Sequence, residues 1–113
     1  MKIDNRLLDE LTAQAQASPR LRMNFDLRDS VEDDSQRMLN ALEPGTVLPI
    51  HRHRTTSETV VILRGRAVQY LYDDAGNEKG QWHRLESLES GTVIVEMKDG
   101  AYEPIGPADI LSM

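Results

Sequence analysis

The residues of this chain best suited to chemistry are few and grouped. His51 and His53 stand two apart, Glu58 follows five residues on, and the remaining histidine is His83. On a strand, residues two apart point to the same face, so two imidazoles can reach one ion from one edge of a barrel. Four residues, Arg54, Thr55, Thr56 and Ser57, separate His53 from Glu58. They are enough to reverse the chain and bring the carboxylate beside the histidines on the next strand. Borderline divalent metals accept nitrogen and oxygen donors together, which makes metal binding the first chemistry to consider. A polar surface strand is the plainer alternative for His51 and His53, given Arg52 and Arg54, but it leaves Glu58 and the flanking glycines unexplained. For His83 the plainer alternative is packing beside Trp82.

Positioning these side chains requires strands. Ile3, Leu7, Leu8, Leu11 and Ala15 recur at spacings of three and four, the face of a helix of three turns that Asp4 can cap and that Ser18 before Pro19 ends. Beyond it the helical period disappears. Stretches 20–27, 37–42, 59–63, 67–72 and 92–97 read as strands, with turn residues between them at Pro44-Gly45, Gly65, Asn77, Gly91 and Gly100. One helix followed by many short strands predicts an all-β sandwich or small barrel, with the helix in 1–18 and the barrel in 19–113. The acidic stretch Asp26, Asp29, Glu32, Asp33 and Asp34 reads as a solvated loop.

The 113 residues set a bound of one domain, long enough to close a hydrophobic core without a staple. With no cysteine, any metal must sit on histidine and carboxylate. A net charge of −6 disfavours a nucleic-acid surface, which needs clustered Lys and Arg. No apolar run is long enough for a membrane span, and Asp4, Asp9 and Glu10 are out of place in a secretory signal. The expectation is a cytoplasmic protein with neither nucleic-acid nor membrane partners.

The run from Gly45 to Gly65 resembles the first cupin motif at each fixed position: glycine, five residues, His51-x-His53, four residues, Glu58, six residues, glycine. Gly80-Gln81-Trp82-His83 resembles the core of the second. Arg20-Leu-Arg22-Met-Asn24-Phe, Gln36-Arg37-Met-Leu-Asn40, Trp82-His83 and the run from Lys98 through Tyr102 to Pro104 narrow the resemblance to the WbuC-type cupin-fold metalloproteins found among surface-polysaccharide genes. The resemblance implies a cupin-type jelly-roll barrel with a divalent ion, Zn, Fe, Mn or Ni, held by His51, His53, Glu58 and His83. Such a ligand set leaves positions open for water or a substrate oxygen. The ion would then polarise a carbonyl or hydroxyl, as isomerases and epimerases require, or as Fe(II) admit dioxygen in the manner of oxygenases.

Two departures stand out. Glu78 and Ser87 occupy places where the second motif has proline and asparagine, and only seventeen residues separate Gly65 from His83. Either the barrel is abridged or a segment is missing between Asp74 and Gly80, and the poor match at Glu78-Lys79 favours the second. At the barrel mouth, Arg22 and Arg37 would offer planar forks to an anion and Asn24 would read hydroxyls, while Tyr102 is either a ligand contact or a packing residue. The expected ligand is a small molecule, an anionic sugar or sugar-derived metabolite, either transformed or simply bound; no general base beyond the metal ligands stands out. Val61 and Leu63 give β-strand 59–63 a second apolar face, which calls for a covering helix or a second subunit; with the twofold dimer the commonest closed assembly, a homodimer is expected.

Overall fold

The computed structural model describes residues 1–52, 57–75, 82–100 and 105–111. Helix α1 (Asn5–Ala17) begins where Asp4 Oδ1 accepts the Leu7 N–H at 3.1 Å. It ends at Ser18, whose extended backbone precedes proline. Leu8, Leu11 and Ala15 are its buried face. Ile3, which shares their periodicity, precedes the first turn and stays exposed.

Eight strands follow: β1 (Arg22–Asp26), β2 (Ser35–Leu42), β3 (Ile50–His51), β4 (Glu58–Arg64), β5 (Ala67–Tyr72), β6 (Trp82–Ser87), β7 (Thr92–Asp99) and β8 (Ile110–Leu111). They form two four-stranded antiparallel sheets, ordered β1-β2-β7-β4 and β5-β6-β3-β8. Strand β1 starts later than its apolar run because Leu21 takes a left-handed φ of 56°. The Leu21 carbonyl accepts from the Glu43 N–H and the Thr46 hydroxyl.

Alternation along β2 and β7 assigns opposite tasks to their two faces. Leu39, Ala41 and Val93 pack under Leu8, Leu11 and Ala15, so the helix covers the outer face of the first sheet. The other parity, Met38 and Asn40 on β2 with Glu96 and Lys98 on β7, turns toward the second sheet and lines a cavity. The carboxylate of buried Glu43 accepts from Ser90 Oγ at 2.6 Å, the Gly91 N–H at 2.8 Å and Gln16 Nε2 at 3.1 Å, tying the end of α1 to the turn before β7.

Two connections bring the site together. Only Gly65 and Arg66 join β4 in one sheet to β5 in the other. Gly65 has φ +89°, and a Cβ there would fall 2.6 Å from Thr92 Cα, so the crossing needs glycine on both counts. Strands β5 and β6 then pair from Ala67↔Ser87 to Tyr72↔Trp82. Strands β5 and β6 are thus direct neighbours, which puts Leu71 opposite His83. Residues 76–81, where a missing segment was expected, lie outside the described residues.

Candidate metal centre and cavity

His51 and His83 stand directly opposite one another on β3 and β6, with ring centroids 4.4 Å apart and planes inclined at 56°. Glu58 heads β4, which belongs to the other sheet, so it meets the histidines across the interior rather than from a neighbouring strand as the spacing suggests. Its Oε2 lies 3.7 Å from His83 Nε2. One ligand atom from each of the three lies within 4.8 Å of the other two, and all three residues are half-buried. This triad could hold a metal ion.

The surroundings suit that use. His51 Nδ1 lies 2.9 Å from the Pro49 carbonyl. Donation there places the imidazole lone pair on Nε2, the arrangement that a backbone carbonyl on the far nitrogen imposes on metal-binding histidines. Lys98 sits opposite Glu58 in the β4–β7 pairing, its Nζ 3.8 Å from Glu58 Oε2 and 3.8 Å from Glu96 Oε2. Glu96 Oε1 in turn accepts from Asn40 Nδ2 at 2.9 Å. His53 and Tyr102, the remaining expected site residues on these loops, lie outside the described residues.

The triad opens into a cavity of about 480 Å³ lined by both sheets. Arg22, Asn24 and Arg37 all line it, as do Arg28 and Lys98, so its described charged walls carry four cations against Glu58 and Glu96 in a chain of net charge −6. Burial, together with the nearby charge of Arg20, lowers the Arg22 pKa from its ordinary value. It remains a cation at neutral pH. The Arg28 guanidinium grips Asp26 through Nη2–Oδ2 at 2.8 Å and Nε–Oδ1 at 3.0 Å. Arg37 is on the outward parity of β2 and is held by Asp33 Oδ2 at 3.1 Å and the Ser35 carbonyl at 3.2 Å. Two members of the acidic stretch therefore position arginines of the cavity. Arg28's side chain and then its backbone N–H hold the Asp26 carboxyl below its usual range. For Asp33 the Ser35 N–H does most of this, ahead of Arg37.

The sequence did not single out Arg28, Gln36, Asn40, Gln69, Glu96 or Lys98 as site residues, although all line the cavity. The available signal was parity. Asn40, Glu96 and Lys98 alternate with Leu39, Ala41, Val93 and Val95, the pattern of a strand with one wet face. Here the wet face is the interior cavity, since α1 has taken the apolar one.

Two facing antiparallel sheets, one covering helix and an internal His-Glu-His cluster define a β-rich protein with a candidate metal centre. The chain belongs to the DUF6016 family, a domain of unknown function, whose sequence profile matches residues 3–84 and so includes His51, Glu58 and His83. No curated protein and no solved structure matches the chain. Among the described residues no helix is long and apolar enough to cross a membrane.

Proposed function

We propose that the chain is a small cupin-type jelly-roll metalloprotein that binds a small, hydroxylated anion, a sugar or sugar-derived metabolite of surface polysaccharide, at a divalent ion. The observation that carries this reading is the convergence of His51, Glu58 and His83 on one point of a cavity with four cationic side chains. His51, Glu58 and His83 would hold the ion, with His53 as the fourth ligand that the motif spacing supplies. The ion would supply Lewis-acid polarisation of a substrate oxygen. Asn24 and Asn40 offer amide groups to hydroxyls, and Arg22 offers a planar fork to a carboxylate or phosphate. Zn, Mn, Ni and Fe(II) all suit this donor set.

Turnover rather than simple binding is favoured by Glu96 and Lys98, a carboxylate and an ammonium at the cavity wall next to the triad. They are groups beyond the metal ligands whose side chains can accept or donate a proton to a substrate held there. The test is elemental analysis of protein purified without added metal, followed by a calorimetric screen of the metallated form against sugar phosphates and sugar acids. The reading expects about one ion per chain and at least one anionic ligand whose binding is lost in Arg22→Ala. A metal-free protein that takes up no divalent ion on titration would overturn it.

A further inference from the structure

The four cations of the cavity are not equally available to a ligand. Asp26 holds Arg28 at 2.8 Å, Asp33 holds Arg37 at 3.1 Å, and Lys98 stands 3.8 Å from both Glu58 and Glu96. Arg22 differs: it is half-buried in the cavity wall, yet among the described residues it has no carboxylate partner. Burial and the charge of Arg20 both disfavour its cationic form. An oxyanion brought by a ligand would offset both, and the planar guanidinium suits a carboxylate or phosphate.

Strand register separates this arginine from the metal ligand on its own sheet. Glu58 is paired with Lys98, and Lys98 with Gln36 on β2, whereas Arg22 is paired with Leu42, six residues further along β2. Strands β7 and β2 lie between β4 and β1. At the ordinary rise and spacing of strands, the two positions are roughly 20 Å apart along the sheet and about 14 Å apart across it. The Arg22 side chain covers part of that diagonal and leaves more than the length of one sugar ring before the triad. The cavity follows the same diagonal, since Asn24 and Asn40, paired with each other, line it between the two ends. Charge divides the ends as well. Glu58 and Glu96 share one lysine near the triad, while the Arg22 end holds a guanidinium with no carboxylate beside it.

We propose, resting on the metal-centred reading above, that the ligand is an elongated saccharide anion, longer than one sugar ring, bound at both ends of this diagonal. A neutral hydroxyl or carbonyl oxygen at one end meets the ion at His51, Glu58 and His83, and a terminal carboxylate or phosphate at the other pairs with Arg22. The amides of Asn24 and Asn40 face the hydroxyls between them. Asn40 gives Nδ2 to Glu96 and keeps its carbonyl oxygen for a hydroxyl donor. Arg22 therefore selects for length as well as charge. An oxyanion too short to leave the ion gains nothing from it.

Calorimetry on the Zn-loaded full chain with the monohydroxamates of succinic, adipic, suberic and sebacic acids tests this. The hydroxamate anchors on the ion, and the free carboxylate probes outward from it at increasing distance. Each compound is compared with its methyl ester. The carboxylate should add nothing to the affinity of the succinic compound and about tenfold to that of the suberic or sebacic one, and Arg22→Ala should abolish the gain without changing the affinity of the esters. A gain as large in the shortest probe as in the longest, no gain at any length, or a gain that survives Arg22→Ala overturns the proposal. Should Arg22→Ala fail to fold, the length series on the wild type decides by itself. Acetohydroxamate separates the two readings. If it does not bind, or binds equally well after the ion is chelated away, the metal-centred reading fails and the proposal falls with it. If it binds only to the loaded protein, the length series bears on Arg22 alone.

Discussion

Lys98 is the residue on which the electrostatics of the site turn, because it stands between two carboxylates that would otherwise face each other across the cavity wall. With Nζ at 3.8 Å from both Glu58 and Glu96, it supplies a cation where the interior carries two anions. Lys98→Met should leave the protein folded and weaken binding of anionic ligands at least about tenfold, about 1.4 kcal/mol, measured by calorimetry on the metallated protein. Glu43 is anionic for a structural reason. Burial raises its pKa, but the hydrogen bonds from Ser90, the Gly91 N–H and Gln16 outweigh burial and hold it below the ordinary value. A carboxyl depressed by folding stabilises the native state above its unfolded pKa of about 4.3, and the contribution is lost as pH falls through the folded value. Glu43→Gln should therefore cost about 1–3 kcal/mol at neutral pH and much less in acid, seen as a flatter acid limb in urea melts against pH. At this scale residue types and spacing announced that His51, Glu58 and His83 belong together, though not that Glu58 reaches them from the other sheet. The sequence was silent on Lys98 and Glu96, because a polar residue alternating with apolar ones looks the same whether its face meets solvent or a cavity.

The elements separate by how much of their own periodicity they carry. Helix α1, β2, β4, β5 and β7 each show a repeating apolar face and were readable. Strands β3 and β8 are two residues long, and the apolar residues of β6, Trp82 and Leu85, fall on opposite faces. These three exist because their neighbours pair with them, which no local pattern announces. The helix contributes by covering Leu39, Ala41 and Val93, so Leu11→Ala should cost about 2–5 kcal/mol in chemical denaturation while metal uptake by the surviving native protein is unchanged. Gly65 contributes by letting the chain change sheets in two residues. Gly65→Ala should destabilise by more than 1 kcal/mol, since it adds both left-handed strain and a clash with the Thr92 backbone.

For the whole molecule, the layer order explains where chemistry is possible. The helix satisfies the apolar face of the first sheet, and the second sheet faces the polar parity, so a polar cavity lined by four cations and two carboxylates survives inside an acidic protein. The stretch from Gly65 to His83 was the least legible feature, because a strand that pairs back at once and a segment missing from the chain leave the same seventeen-residue spacing, and residues 76–81 lie outside the described residues. What makes the architecture a functional proposal is that β3 and β6 of one sheet and β4 of the other deliver His51, His83 and Glu58 to one point. X-ray absorption at the metal edge tests this most directly, on protein loaded with one equivalent of Zn or Mn. The account predicts imidazole scattering from the wild type that weakens in His51→Ala and again in His83→Ala, with an oxygen contribution that falls in Glu58→Gln. An ion whose spectrum shows no imidazole, or is unchanged by all three substitutions, would contradict it.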